Sequence, residues 1–403
     1  MSSPTAWSPE WSNAVFSVEE RDRRWKRVRE LMARDGIDVI VCLPCTNSHD
    51  RGQADARYLS QLGENSDETT VVFPLEGEVT AWHSRGGIWP SSSWLNGVRA
   101  ARRGTGGQTV AARLRELGFE RGTIGVAGLT SSLLGHVRET EGEVNWQSVE
   151  IVKSAFPNAR VVTATDVLGE ARYQKSEEEI DFIRKGAAVA ERTIEAVIQH
   201  ARAGVRERHV FAQMMFANAD AGGSFQPMFG WISGPLGRTY HRVEQPTFRT
   251  LQTGDVLSME VEGRWGGYIA QLDQTFSIGP AHQDLKDGLQ LTWESFNRAF
   301  EALRPGVTVG EVWEAAHLTG INGRAETRLL MHGRGLGDDG PLVTSLVTPE
   351  MRSLEIKEGC SFILKPNTGV DGRPDYGSWG ESVVVRKHGA ERLGTRPQHL
   401  FEL

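Results

Sequence analysis

The sequence predicts an α/β domain over residues 1–172 followed by an α+β domain over residues 173–403. Three observations carry this reading. Short apolar runs alternate with helical patterns through the first part, which implies layers of helix on sheet. A long capped helical pattern starts at Ser176, just past the boundary near Tyr173. A hairpin pattern then fills 254–276, GDVLSMEVEGRWGGYIAQLDQTF, with polar and acidic residues near its middle. A chain of 403 residues holds enough core for two or three domains.

The elements follow in order. Ser17-Val18-Glu19-Glu20 reads as a capping box, because Glu20 stands three residues after Ser17. The helix runs to about Arg34, with Trp25, Val28, Leu31 and Met32 at helical spacing, and Gly36 stops it. Residues 37–43 read as a buried strand. Residues 67–74 and 78–82 read as a strand pair across Leu75-Glu76-Gly77. A helix over 109–117 and strands over 123–127 and 160–162 complete the first part. Ser176 caps a helix that reaches about Ala201, and Glu177, Glu178 and Glu179 suit its positive end. Further helices are expected over 207–221, 283–303 and 309–322, with Pro305-Gly306 ending the second of these. In the hairpin, 256–262 alternates as a strand, Gly266-Gly267 fits the turn, and 268–276 returns. This places Glu260, Glu262, Gln271 and Asp273 on neighbouring strands. Taken alone, the pattern also suits a solvated hairpin with its charges outward.

Composition narrows the function classes. Hydrophobic residues make up 39% and charged residues 24%, as in a soluble globular protein, and the net charge is −7. No basic tract is present, so no nucleic-acid partner is expected. No apolar stretch of about 20 residues and no basic-apolar leader is present, so neither a membrane span nor a signal peptide is expected, and the expected location is cytoplasmic. The three cysteines, Cys42, Cys45 and Cys360, imply no disulfide framework, and Cys42-Leu43-Pro44-Cys45 lacks a second pair to hold zinc. The 12 tryptophans serve as core fillers or as walls of a pocket for a small organic cation; Phe229, Trp231 and Trp379 are the candidate walls.

Three later stretches add chemistry: 330–336, LMHGRGL; 362–366, FILKP; and 380–385, GESVVV. Their order, spacing and flanks resemble the pita-bread superfamily of methionine aminopeptidase, prolidase, aminopeptidase P and creatinase. The resemblance implies a creatinase/prolidase-like domain over 1–172, where Arg57-Tyr58-Leu59 matches a family tripeptide, and a pita-bread catalytic domain over 173–403. It maps the five metal-ligand positions of the family onto Glu260, Gln271, His332, Lys365 and Glu381, of which only His332 and Glu381 keep the family's residue type. The family set carries four negative charges; here Glu260, Glu381 and Lys365 sum to −1. The expectation is therefore a site without metal or other cofactor, in which the Lys365 ammonium replaces the metal charge and pairs with Glu260 and Glu381.

Creatinase is the precedent for a metal-free site on this fold. By that resemblance His241, which precedes Pro246 and Gly254-Asp255, stands where creatinase has its base, and Asp273 takes the role of an acid that orients substrate. The expected mechanism has neutral His241 take a proton from water or substrate. His332 donates to the developing anion, Lys365 stabilises negative charge, and Glu260, Asp273 and Glu381 hold a cationic or N–H portion. Gln271, Glu262, Tyr240 and Arg57 are further candidate substrate contacts. The expected activity is hydrolysis of a C–N bond in a small polar or zwitterionic molecule. The runner-up is a β-elimination lyase similar to the pita-bread enzyme that cleaves dimethylsulfoniopropionate. The third reading is an inactive ligand-binding member, and a Xaa-Pro peptidase ranks last. The resemblance also implies a homodimer in which Arg57 and the loop 45–51 reach the partner's site.

Overall fold

The computed structural model describes residues 15–44, 53–62, 69–83, 94–95, 98–102, 104–130, 134, 142–223, 228–236, 246–337, 339–343, 348–373 and 377–403. They form two compact units, one of 1–173 with 336–340, the other of 174–335 with 341–403.

In the first unit the Ser17 side chain accepts from the Glu20 amide at 3.0 Å and starts α1 (Val18–Asp35), which Gly36 ends at φ 66°. Glu20 does not complete the expected capping box. Its carboxylate turns to Arg23 at 2.7 Å and Arg24 at 2.6 Å, the latter buried against Phe16, Tyr58 and Trp94. The unit continues with β1 (Val39–Cys42), α2 (Ala54–Ser60), β2 (Thr69–Pro74), β3 (Thr80–His83), β4 (Arg99–Ala100), α3 (Gly106–Glu116), β5 (Gly122–Val126), α4 (Trp146–Ala155), β6 (Ala159–Thr163) and α5 (Thr165–Tyr173). The sheet order is β4-β3-β2-β1-β5-β6. The apolar runs expected as strands lie at its centre, where β1 and β2 are buried throughout.

The second unit opens with α6 (Glu177–His200), where Ser176 and Glu179 form a complete capping box. Then come α7 (Glu207–Asp220), β7 (Phe229–Pro235), β8 (Asp255–Trp265), β9 (Tyr268–Ser277), α8 (Gln283–Ala302), α9 (Val309–Ala316), β10 (Thr319–Gly320), β11 (Ala325–Gly333), β12 (Leu342–Val343), α10 (Pro349–Arg352), β13 (Ser361–Val370), β14 (Glu381–Arg386), β15 (Gly389–Arg392) and β16 (Phe401–Glu402). The helix expected through 322 stops at Ala316, because the chain turns to pair β10 with β11 and Asn322 takes φ 54°.

β8 and β9 form the expected hairpin, with Trp265 opposite Tyr268 and Gly266 and Gly267 at φ 57° and 84°. Two positive φ values in a row suit the twist of a tight hairpin, and glycine adopts them without penalty. Alternate residues then separate cleanly. Leu257, Met259, Val261, Leu272 and Phe276 enter the apolar core with Ile194 and Val197 of α6 and Met214 of α7. Ser258, Glu260, Glu262, Gln271, Asp273 and Thr275 have the opposite parity. The helix lies flush on the hairpin because Gly186 meets Gly263, where a Cβ on Gly186 would fall 2.8 Å from the Gly263 carbonyl oxygen.

Two sheets result, β16-β9-β8-β7 and β10-β11-β13-β14-β15. They touch where Asp273 of β9 and Gly380 exchange backbone hydrogen bonds, each 3.1 Å. No helix among the described residues is long and apolar enough to cross a membrane.

Candidate functional site

A cavity of about 90 Å³ opens beside this junction, lined by Ser258, Glu260, Asp273, Lys365, Asn367 and Ser378 among others. Strand pairing brings these together. Glu260 stands opposite Asp273 across the hairpin, and Lys365 is carried on β13 opposite Leu330 of β11. Two carboxylates directly opposite each other repel. The chain answers this with a cation and a hydroxyl. Lys365 Nζ lies 3.1 Å from Glu260 Oε1, and Ser378 Oγ donates to Asp273 Oδ2 at 3.0 Å. Asp273 Oδ1 is buried and has no hydrogen-bond partner among the described residues.

Behind the cavity the polar groups form a continuous buried network. Gln271 Nε2 donates to Glu260 Oε2 at 2.9 Å, and Gln271 Oε1 accepts from Lys365 at 3.3 Å and from Arg334. Glu262, with no exposed surface, is held by Arg264 and Arg334, each at 3.3 Å, and by the Met228 amide at 3.2 Å. His332 is fully buried with Nδ1 3.2 Å from the Gly333 carbonyl oxygen. A carbonyl only accepts, so that contact assigns the proton to Nδ1.

Several expectations change here. Lys365 meets Glu260 as expected, but Glu381 does not join them. Its Oε2 lies 3.1 Å from Arg392 and 3.8 Å from Arg396, and its Oε1 faces Gly394, where an added Cβ would come within 2.5 Å. Phe229 and Trp231 are not cavity walls. The pairing of β7 puts Gly230 opposite Glu260, so Gly230 and Ile232 face the cavity while Phe229 and Trp231 point into the core with α6 and α7. Trp379 is likewise fully buried, edge-on to Phe296 at 4.7 Å and beneath the Arg392 and Arg396 guanidinium groups at 5.1 Å each. Arg57 sits on α2 in the first unit. His241 and Tyr240 lie outside the described residues.

The sequence reading missed Arg334, Arg392, Arg396, Asn367, Ser378 and Gly380. Arg334 was visible two residues after His332, and Gly380 directly before Glu381. Arg392 and Arg396 follow β14 with no motif to mark them.

Burial raises the Glu381 carboxyl above its ordinary value of 4.5, and Arg396 and Arg392 pull it back in part. A carboxyl raised in the folded state contributes its full stability below the unfolded value and loses it as pH rises through the folded value. The unfolding free energy of the chain therefore falls relative to that of Glu381→Gln as pH rises above about 4.5. Denaturant titrations of both proteins from pH 4 to 8 measure this; a gap that widens in favour of the parent contradicts it.

The match to a family model decides the family. Residues 181–388 match metallopeptidase family M24. The chain belongs to that family. Among curated relatives, a probable dipeptidase PepE of Mycobacterium tuberculosis is 30% identical over 249 residues, covering 60% of this chain and 63% of the relative. The chain thus aligns with under two thirds of the length of that relative. A creatinase of a Bacillus species is 26% identical over 404 residues, covering 95% of this chain and 92% of the relative. An X-Pro aminopeptidase structure from Thermotoga maritima superposes with a TM-score of 0.72 at 20% identity, over 94% of this chain and 99% of the other, and shares the pita-bread fold. These relatives correct the ranking that placed a Xaa-Pro peptidase last, since dipeptidases stand among them, and they lend the lyase reading no support.

The M24 name implies metal, and the residues here do not fit one. Among the described residues, no group of three or more His, Cys, Asp or Glu side chains is placed to hold an ion. Three of the acidic positions at the site are neutralised from within: Glu260 by Lys365, Glu262 by Arg264 and Arg334, and Glu381 by Arg392 and Arg396. A dication about 4 Å from Lys365 would be repelled by roughly 8 kcal/mol, taking about 4 per pair of unit charges at an effective dielectric near 20.

Proposed function

We propose that this M24 chain is a hydrolase that cleaves a C–N bond of a small polar or zwitterionic molecule without a bound metal, as a creatinase-like member. The observation that carries this reading is Lys365 Nζ at 3.1 Å from Glu260 Oε1, a fixed ammonium where the family pattern has a metal-ligating carboxylate. The alignment with a creatinase along nearly the whole chain supports it. The cavity, about 90 Å³, is small beside the sites that hold drug-sized ligands, which suits a small substrate.

In this mechanism Asp273 Oδ1 accepts from a cationic or N–H portion of the substrate, while Ser378 fixes the other oxygen. Lys365, held by Glu260 and Gln271, stabilises the negative charge that develops on the reacting group. His241 takes the proton from the attacking water as oxygen bonds to carbon, and returns it to the nitrogen as the C–N bond breaks, a role that rests on the sequence pattern. His332, with a proton assigned to Nδ1 by the Gly333 carbonyl, is left with Nε2 to orient a polar group of the substrate.

A second reading is a dipeptidase, the activity named for relatives such as the probable dipeptidase PepE. Assays of creatine and of Xaa-Pro dipeptides, with and without EDTA, separate the two. The proposal expects hydrolysis of the small C–N substrate, unchanged by EDTA. Cleavage of a Xaa-Pro dipeptide that EDTA abolishes and manganese restores overturns it.

A further inference from the structure

Arg396 is buried, and its guanidinium donates to the Gly380 carbonyl at 2.7 Å, to the Asp273 carbonyl at 3.3 Å and to Gln274 Oε1 at 2.5 Å. It therefore grips the backbone on both sides of the junction between the two sheets. The same guanidinium and that of Arg392 flank Glu381 Oε2 and stack on Trp379. The segment that carries them is itself anchored: Glu191 of α6 accepts from the Thr395 hydroxyl and the Arg396 amide, each at 3.0 Å. On the other flank, Arg334 bridges Glu262 and Gln271. Lys365 is thus one of five cations here, with Arg264, Arg334, Arg392 and Arg396, supplied by four separate parts of the chain. Charge at Glu381 is balanced without Lys365.

We propose that Arg392 and Arg396 are positioning residues that act as built-in counter-cations for Glu381, and that they, with Arg334, close this site to divalent ions even when Lys365 is replaced. The inference rests on the metal-independent reading above and deepens it. It differs from the simpler idea that one lysine displaced the metal. Restoring carboxylates at 271 and 365 leaves Glu381 turned toward Arg392 and Arg396, and leaves Arg334 beside position 271. An incoming ion then has to displace guanidinium groups that are fixed by stacking and by backbone hydrogen bonds.

The test is calorimetric titration with manganese chloride of four proteins of 403 residues: the parent, Lys365→Glu, Gln271→Asp with Lys365→Glu, and that double variant with Arg392→Gln added. Circular dichroism confirms that each is folded. The expected result is no saturable binding up to millimolar manganese in the first three, and binding at least ten-fold tighter in the fourth. Arg392 is partly exposed, so its removal disturbs packing less than loss of Arg396. Micromolar, stoichiometric binding by either carboxylate variant that still has Arg392 overturns the inference but leaves the metal-independent reading intact. Binding by the parent overturns that reading as well. A folded fourth protein that gains no affinity also overturns the inference. If the fourth protein does not fold, the second and third decide alone: no binding upholds the proposal and stoichiometric binding overturns it.

Discussion

Lys365→Met lowers the unfolding free energy by about 3–5 kcal/mol, the cost of leaving a buried charge without its partner. Lys365 is 2% exposed and its ammonium meets Glu260 Oε1 at 3.1 Å and Gln271 Oε1 at 3.3 Å. Methionine keeps most of the length and apolar volume, so the loss reads the charge and not a cavity. The Glu260 carboxylate then keeps the Gln271 amide but faces Asp273 across the hairpin without the intervening cation. If Lys365 also stabilises charge in the transition state, turnover of a hydrolysed substrate falls by about 10²–10³, as on removal of one oxyanion-stabilising donor. Urea denaturation and initial-rate kinetics separate the two effects. Normal stability with near-normal turnover would make Lys365 a spectator and move the reaction centre to His241 and His332.

Gly380→Ala costs about 3 kcal/mol and disables the site, by overpacking at the junction of the sheets. An added Cβ would stand 2.7 Å from Lys365 Cβ, 3.0 Å from the Leu364 carbonyl oxygen and 3.1 Å from Asp273 Cβ. None of these atoms is the far end of a flexible side chain, so relief requires the backbones to part. Parting them breaks the paired 3.1 Å hydrogen bonds between Asp273 and Gly380 and widens the gap between the carboxylate and ammonium walls of the cavity. A thermal midpoint lowered by several degrees is the expected reading. An unchanged midpoint would mean that β9 and β13 are not held this close.

The hairpin was legible in the sequence because alternation and a Gly-Gly turn are local signals, and both survive in the register of β8 and β9. The meeting of Glu260 with Lys365 was legible through the family pattern alone, since 105 positions separate them. Phe229 and Trp231 show why parity is hard to read. A strand that slips by one residue exchanges its faces, and nothing in 229–235 reveals that Gly230 pairs with Glu260. Glu381 misled for a related reason: its position on β14 was recognisable, but its direction is set by Arg392 and Arg396, which lie in a segment without periodicity. The helical pattern over 309–322 was cut short at Ala316, because Thr319 and Gly320 pair with β11, a contact that propensity alone does not reveal.

Metal content tests the central claim most directly. Elemental analysis of the purified chain, grown with manganese, cobalt, iron and zinc available and not exposed to chelators, should find far less than one transition-metal ion per chain. One or two ions per chain, retained through gel filtration, would contradict the account, because Lys365 and the arginines around Glu262, Gln271 and Glu381 leave no set of donors among the described residues to hold them.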